Sequence, residues 1–472
     1  MIRLLRSHVV YPLLAGERYK GIHRLCRSIQ QFEDLPPQQQ MDQQWSRLKG
    51  LLQHAYDTVP YYREVMDAHG LPPAAIRSMD DYRRLPELGK ETIRARRSDL
   101  VSKKFSMDGL RSAHTSGTTS TPMTFYRDLP GTRWKTALQL RLNEWGQFRL
   151  GERSLWLWGA QFDFVQKPSW KWAMLEKYGF GTWTLPVERL EDATFARFVR
   201  VMQRCRPRII YGYSNMVDMF SQYVLRNRCD LPRPEAVICT AEPLGAVRKQ
   251  NIQEALQAPV YDHYGSRELG MIAANNAGNT KMRFHGAGCL VELVPVQRME
   301  DGWIARLVVT DLLNEGMPFL RYDTADSVLV QDADLAANSA FPVVDQIHGR
   351  QQDTLVLSDG RLFPGMFMTV ALWEVRDQVS IKCLQFVQEA IGKMTLRYVA
   401  DGPWETTLAE LNQFEKILRS TIPDRFDLRF EAMEEMPRSA SGKFSLVVSK
   451  VPTPSVRTTA VQETALAGTG RL

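Results

Sequence analysis

The sequence predicts an α/β protein: a large amino-terminal domain of several α/β sheets with a β-rich part added, and a small α+β carboxy-terminal domain. Three observations carry this expectation. Helical and strand-like segments alternate from near residue 40 to about residue 240, the order that covers a mostly parallel sheet with helices. From Val237 onward the texture changes to strands with short connections. A compact unit of strand, helix and strand then begins near His348-Gly349-Arg350 and runs for about a hundred residues. The boundaries read as 1–347 for the amino-terminal core, 348–450 for the carboxy-terminal domain and 451–472 for a tail. The tail is Pro, Thr, Ala and Gly without periodicity and reads as disordered.

Each element has a local reason. Trp45, Leu48, Leu52 and Ala55 recur at helical spacing, so residues near 40 to 57 form an amphipathic helix. Val59-Pro60 closes it, because the residue before proline resists the α conformation. A second helix opens near Lys90 and carries Arg94, Arg96 and Arg97, and Thr132 to Trp145 forms another. Leu155 to Trp158 is strand-like. Trp170, Trp172, Tyr178, Phe180 and Trp183 follow as an aromatic patch that is either core or the lining of a pocket for a flat apolar ligand. Phe195, Phe198, Val199 and Met202 mark a further amphipathic helix, and Ile209 to Tyr213 a short buried strand that runs into a helix at Ser214. Val237 to Thr240, Val260-Tyr261, Leu290 to Val294 and Arg306 to Thr310 are the clearest later strands. In the last unit Met394 to Val399 and Phe426 to Phe430 flank a helix with Leu408, Leu411, Phe414 and Leu418.

Composition narrows the function classes. The 472 residues are 44% hydrophobic and 24% charged, which suits two or three globular domains. Sixty basic against 53 acidic side chains leave a charge of +7, a balance that fits an anionic small molecule. The basic residues are scattered and no zinc-finger or RNA-recognition pattern occurs, so nucleic acid is not an expected partner. Cys26, Cys205, Cys229, Cys239, Cys289 and Cys383 form no C-x-x-C pair and read as reduced thiols. Cys239 lies within an apolar strand, where packing is the better reading than nucleophile. No apolar run approaches bilayer length, no signal peptide is recognisable, and the expected location is the cytoplasm. Residues 1–16 mix apolar side chains with Arg3 and Arg6, so a basic helix lying on a membrane is a minor alternative. A homodimer is left open.

The stretch His114-Thr115-Ser116-Gly117-Thr118-Thr119-Ser120-Thr121-Pro122 organises the chain. Seven of its nine residues are Ser, Thr or Gly, and such a loop has little to bury. Its hydroxyls and backbone N–H groups suit clustered anionic oxygens such as a triphosphate. It holds no G-x-x-x-x-G-K-[ST] and so is not a Walker loop. A plain surface turn is the alternative. Four further stretches change the weighing: Cys239-Thr240-Ala241-Glu242-Pro243-Leu244 after a strand, Tyr261 to Glu268 ending the next, Pro318 to Asp326, and Pro437-Arg438-Ser439-Ala440-Ser441-Gly442-Lys443 near the end of the small domain.

Together with Gly349-Arg350, and in this order, these stretches resemble the motif series of the adenylate-forming ligases, and within them the phenylacetate–coenzyme A ligase family and its CapK-like relatives. The likeness runs from about Leu51 to Val448. It implies a large amino-terminal adenylation domain, a mobile small domain and a site between them. It also implies two half-reactions: a small carboxylic acid and ATP give an acyl-adenylate, then coenzyme A takes the acyl group. An amine acceptor, in polysaccharide or small-molecule tailoring, is the alternative.

The resemblance implies roles residue by residue. Thr115, Ser116, Thr118 and Thr119 would hold phosphates, with Gly117 letting the backbone approach. Glu268 would coordinate Mg²⁺. Tyr264 would pack on adenine, within Tyr264-Gly265-Ser266, and Ala241-Glu242-Pro243 would wall the other face. Asp326 would accept from both ribose hydroxyls and Arg350 would lie near the ribose or phosphate at the domain junction. Lys443 would stabilise charge developing at the α-phosphate. Three positions depart from the pattern. Arg267 stands where Thr or Ser usually precedes the glutamate, which leaves Ser266 for the α-phosphate. Ala325 replaces a glycine, and Gln352, beside Asp353, occupies the usual hinge position. His114 and His263 neighbour motifs and read as structural or substrate-orienting. Two other readings stay open here: a non-catalytic binder with the same fold, and a membrane-associated scaffold using the basic amino terminus.

Overall fold

The computed structural model describes residues 2–114, 123–158, 170–186, 192–241, 244, 246–276, 281–299, 302–331, 339–348, 354–359, 362–364, 381–400, 404–422, 424–434 and 447–451. The chain opens with helices: α1 (Ile2–Leu5), a π-helical turn (Arg6–Val10) and α2 (Tyr11–Leu14), then α3 (Ile22–Glu33), α4 (Pro37–Thr58), α5 (Pro60–Ala68), α6 (Met79–Arg83) and α7 (Lys90–Ala95). The break between α4 and α5 falls at Val59-Pro60, as the proline rule requires. β1 (Arg111–His114) and β2 (Thr124–Arg127) pair antiparallel with His114 opposite Thr124, and α8 (Leu129–Trp145) follows.

Five parallel strands come next, β3 (Ser154–Trp158), β4 (Thr182–Pro186), β5 (Ile209–Tyr213), β6 (Ala236–Thr240) and β7 (Val260–Ser266), interleaved with α9 (Trp170–Met174), α10 (Asp192–Cys205), α11 (Ser214–Arg226) and α12 (Ala246–Leu256). β5 and β6 are buried at every position. A strand covered on both faces reads as a continuous apolar run, which is why these two are plain in the sequence. One face carries Leu155, Ile210, Val237 and Cys239 in one apolar cluster with Phe198 of α10 and Phe220 of α11. The other carries Tyr211, Ile238 and Tyr261 with Trp156 and Trp158.

The sheet continues antiparallel through β8 (Gly270–Ala274) and β9 (Met282–Phe284). β10 (Cys289–Met299), β11 (Gly302–Asp311) and β12 (Tyr322–Val330) then build a second, antiparallel sheet. β13 (Val343–Val344) returns to β9, and β14 (Gln346–His348) pairs with β12. The large sheet therefore runs β13-β9-β8-β7-β6-β5-β3-β4 and the second β10-β11-β12-β14. α4 to α7 pack on the second sheet through Leu48, Leu52, Tyr82 and Ile93, in one cluster with Leu307 and Tyr322.

β15 (Thr354–Val356) and β16 (Leu362–Pro364) form a short pair. β17 (Ile381–Ala390), β18 (Lys393–Ala400), α13 (Trp404–Thr421), β19 (Asp427–Ala432) and β20 (Val447–Ser449) complete a mixed four-stranded sheet in the order β19-β18-β17-β20. Leu411, Phe414 and Leu418 of α13 share its core with Phe386 and Leu396. Leu408, expected on the same face, is instead 42% exposed.

The α/β class read from the sequence stands. Two readings change. α3 is not anticipated, and helix over residues 1–16 is anticipated only as a minor alternative. The aromatic patch divides: Phe180 is buried, whereas Trp172 and Tyr178 face solvent.

Candidate active site

The parallel strands β5, β6 and β7 come level at Tyr213, Thr240 and His263, the edge at which open parallel sheets place their ligands, and β7 runs on to Ser266. At this edge β7 also turns back as β8, so the run changes from parallel to antiparallel. The turn is tight. A Cβ on Gly265 would come within 2.4 Å of the Gly270 carbonyl oxygen, so only glycine fits. Ser266 Oγ accepts from the Leu269 N–H at 3.2 Å and helps close the turn.

Two hydrogen bonds staple this hairpin to β12 of the second sheet. Tyr264 Oη donates to Asp326 Oδ2 at 2.6 Å, and Tyr322 Oη donates to Glu268 Oε1 at 2.7 Å. The staples are four residues apart on each segment and run in opposite directions. Tyr264, Glu268 and Asp326, named separately from the sequence, thus stand on one short stretch of the junction between sheets. Burial and the neighbouring Asp326 carboxylate push the Tyr264 phenol well above its ordinary range, so it remains a proton donor. Its ring meets Phe284 edge-on at 6.0 Å.

Glu268 is only 6% exposed. A carboxylate that far from water needs positive partners. Lys90 Nζ lies 3.6 Å from Oε1, and Lys135 Nζ reaches the Glu268 carbonyl at 3.0 Å and Asp311 Oδ2 at 2.5 Å. Burial pulls the Lys135 ammonium below its usual range, and Asp311 works against that. Arg127, at the end of β2, is also depressed by burial and is held charged by Asp311 and Glu268. Lys90 is a site residue that sequence reasoning missed, as are Lys135 and Arg127. Lys90 was read only as the start of a basic helix. Its place is set by the preceding residues: Leu88 bridges to Tyr322, its N–H donates to the Arg321 carbonyl at 2.9 Å, and its carbonyl accepts from Asp323 at 3.1 Å.

The segment leading to Asp326 is held in unusual backbone geometry. Arg321 and Ala325 have φ of +49° and +63°. Ala325 stands where the family pattern has glycine, so the departure noted in the sequence falls on a residue in the left-handed region. Asp323 Oδ1 accepts from the Ala325 N–H at 2.8 Å, Thr324 Oγ1 accepts from the Asp326 N–H at 3.1 Å and donates to Leu307 O at 2.8 Å. These bonds hold the turn against its strain. Ala241, one residue past β6, has φ +72° and is exposed at the same sheet edge.

His263 is fully buried and, among the described residues, neither ring nitrogen has a hydrogen-bond partner. Burial lowers its pKa to about 3, so the ring is neutral in ordinary buffers. His114 stands at the mouth of the β1–β2 hairpin, its Nδ1 3.0 Å from Thr124 Oγ1. Cys239 is buried in β6 and its thiol is pushed well up, which makes it packing. Thr115, Ser116, Gly117, Thr118, Thr119, Glu242, Pro243, Arg350, Gln352, Asp353 and Lys443 lie outside the described residues. β1, which ends at His114, pairs with β2, which begins at Thr124.

The fold belongs to a known class. The structure of 2-hydroxyisobutyryl-CoA ligase with 2-HIB-AMP and CoA in the thioesterification state superposes with a TM-score of 0.59 at 19% identity, over 88% of this chain and 90% of that one. The same ligase in the postadenylation state gives 0.55 at 18% identity over the same shares. The chain therefore has the fold of the adenylate-forming ligases. Its sequence is similar to protein CapK of Staphylococcus aureus, 22% identical over 406 residues, 83% of this chain and 85% of that protein. It is also similar to phenylacetate-coenzyme A ligase of Thermus thermophilus, 24% identical over 366 residues, 72% and 77% of the two chains. No family model matches the chain.

Proposed function

We propose that this protein is an ATP-dependent, AMP-forming acid–thiol ligase, which activates a carboxylic acid as its adenylate and passes the acyl group to coenzyme A. The observation that carries the reading is the stapling of Tyr264 and Glu268 to Asp326 and Tyr322 at the carboxyl edge of the parallel sheet. The fold shared with a ligase crystallised with an acyl-AMP and CoA supports it, as does the likeness to phenylacetate-coenzyme A ligases.

In this reading Tyr264 offers its ring to the adenine and its hydroxyl keeps Asp326 turned toward the ribose hydroxyls, a two-point acceptor. Ala241, Glu242 and Pro243 form the opposite wall. Thr115, Ser116, Thr118 and Thr119 hold phosphate oxygens, Gly117 lets the backbone close on them, and Arg350 meets the ribose or phosphate. The substrate carboxylate attacks the α-phosphorus and pyrophosphate leaves; the coenzyme A thiolate then attacks the acyl carbonyl and AMP leaves. Lys443 places an ammonium where charge builds in the first step. Glu268 would hold Mg²⁺, which would neutralise charge on the phosphates. A single hard carboxylate oxygen such as that of Glu268 suits a metal bound mainly by substrate oxygens. The acid is aromatic or of medium size, and the two domains divide near residue 347.

Carboxylate-dependent exchange of labelled pyrophosphate into ATP tests the first half-reaction, with a panel of acids. Mass spectrometry of products with coenzyme A or with amines tests the second. Exchange that depends on an acid, followed by a thioester, is the expected result. Absence of exchange with every acid overturns adenylation, and amide without thioester overturns the acceptor.

A further inference from the structure

We propose that this protein docks on an anionic membrane surface through its amino-terminal helical segment and the neighbouring α9 region. A helix on a protein surface normally turns its apolar stripe inward. Residues 2–14 do the reverse. Ile2, Leu5, Val9 and Leu13, at the three- and four-residue spacing of one helix face, are 64%, 56%, 44% and 73% exposed, whereas Ser7 is 2% exposed. The inward side is a made seat. A Cβ on Gly151 (φ +87°) would stand 2.7 Å from the Arg3 carbonyl oxygen, so the helix backbone is pressed against that residue. His23 Nε2 lies 2.8 Å from the Ser7 carbonyl, and Arg6 Nη2 donates to the Tyr178 carbonyl at 3.2 Å. The outward apolar face is therefore fixed in place.

A second element extends the patch. Tyr11 packs on Phe180 with ring centroids 4.6 Å apart, and Trp172 meets the same Phe180 edge-on at 5.9 Å. Trp172, Met174 and Tyr178 are 46%, 51% and 67% exposed. Trp and Tyr beside aliphatic side chains are the composition of a bilayer interface.

Charge selects the occupant. Residues 2–16 contain no acidic side chain, and Lys171 and Lys177 are exposed beside Trp172 and Tyr178. Glu17 is tied to Lys20 and Arg133, and Glu176 accepts from Thr184 Oγ1. A basic rim around an apolar stripe complements anionic lipid. In a two-fold dimer the same rim would face its own copy and repel it. No described helix is long and apolar enough to cross a membrane, so the contact is peripheral.

The test is co-sedimentation of the full-length protein with phosphatidylcholine vesicles, with and without phosphatidylglycerol, at low and raised salt. Light scattering gives the oligomeric state, and pyrophosphate exchange in solution reports the fold. The wild type is expected to partition at least about tenfold more onto the phosphatidylglycerol vesicles, with salt reducing the difference. Leu5→Asp/Leu13→Asp is expected to lose that gain while exchange is unchanged. Brominated lipid should quench the wild type more than Trp172→Phe. Equal partition of wild type and double variant overturns the proposal, and so does a wild-type dimer that the double variant dissociates with no vesicle binding by either. Neither outcome touches the ligase reading, because none of these residues has a role in it.

Discussion

The junction of β7 with β12 and the amino-terminal helix break the ordinary partition of side chains in opposite directions. The junction buries a carboxylate, Glu268, against Lys90 and Tyr322, with Lys135 on its backbone carbonyl. The amino-terminal helical segment turns six aliphatic side chains to water, Ile2, Leu5, Val9 and Leu13 among them, and seats itself on Ser7. Apolar residues scattered on a surface carry little information, whereas a buried charge or a fixed apolar stripe does. Burying charge at the junction supplies preorganisation, since its hydrogen bonds are already made before any nucleotide arrives. Exposing apolar surface at the helix supplies a place to bind something large. The two regions ask for different experiments: removing charge at one, adding charge at the other.

The largest effect is expected from Lys443→Ala. Pyrophosphate exchange should fall by about a hundredfold or more while the ATP dissociation constant stays within about a factor of two, because the charge it meets develops in the transition state. An unchanged rate would leave the junction as the whole site. Glu268→Gln should raise the Mg²⁺ concentration needed for half-maximal exchange. It should also cost about 2 kcal/mol in denaturant unfolding, less than the roughly 3–5 kcal/mol of a fully buried pair, since Lys90 keeps some contact with water.

His263 gives a pH signature. Its folded pKa of about 3 lies below its unfolded value. Between the two the unfolded chain binds a proton that the native ring does not, so stability falls as pH falls toward 3. His263→Asn should flatten that acid limb in thermal melts across pH 3 to 7. Tyr264→Phe removes one hydrogen bond to a carboxylate, worth about 1–2 kcal/mol, and should weaken ATP about tenfold with exchange at saturation little changed. The smallest effect is expected at Ala325, whose φ is +63°. Ala325→Gly should raise stability by up to about 1 kcal/mol, read as a shift of denaturant midpoint.

The parallel sheet was legible because Ile209–Tyr213 and Ala236–Thr240 are buried throughout and apolar but for Thr240, as a strand covered on both faces reads. The helix α3 was missed although Ile22, Ile29 and Phe32 are buried on one face. The helix before it points its period outward, so its apolar pattern gives the wrong face. Tyr264, Glu268 and Asp326 came from a motif series, and nothing in their spacing says that residues 62 apart on two sheets share a hydrogen bond. Lys90 was hidden for a related reason. Its proximity to Glu268 comes from the bridge of Leu88 to Tyr322, a contact between segments far apart in the sequence that local periodicity does not encode.

The claim on which the ligase account rests is that Tyr264 and Asp326 act on one nucleotide as a unit. A double-mutant cycle with Tyr264→Phe and Asp326→Asn, read as ATP affinity by calorimetry, tests it most directly. The account predicts that each single change weakens ATP, and that the pair together costs less than the sum by about 1 kcal/mol, because the bond between them is lost once. Fully additive losses, or ATP affinity untouched by either change, would contradict it.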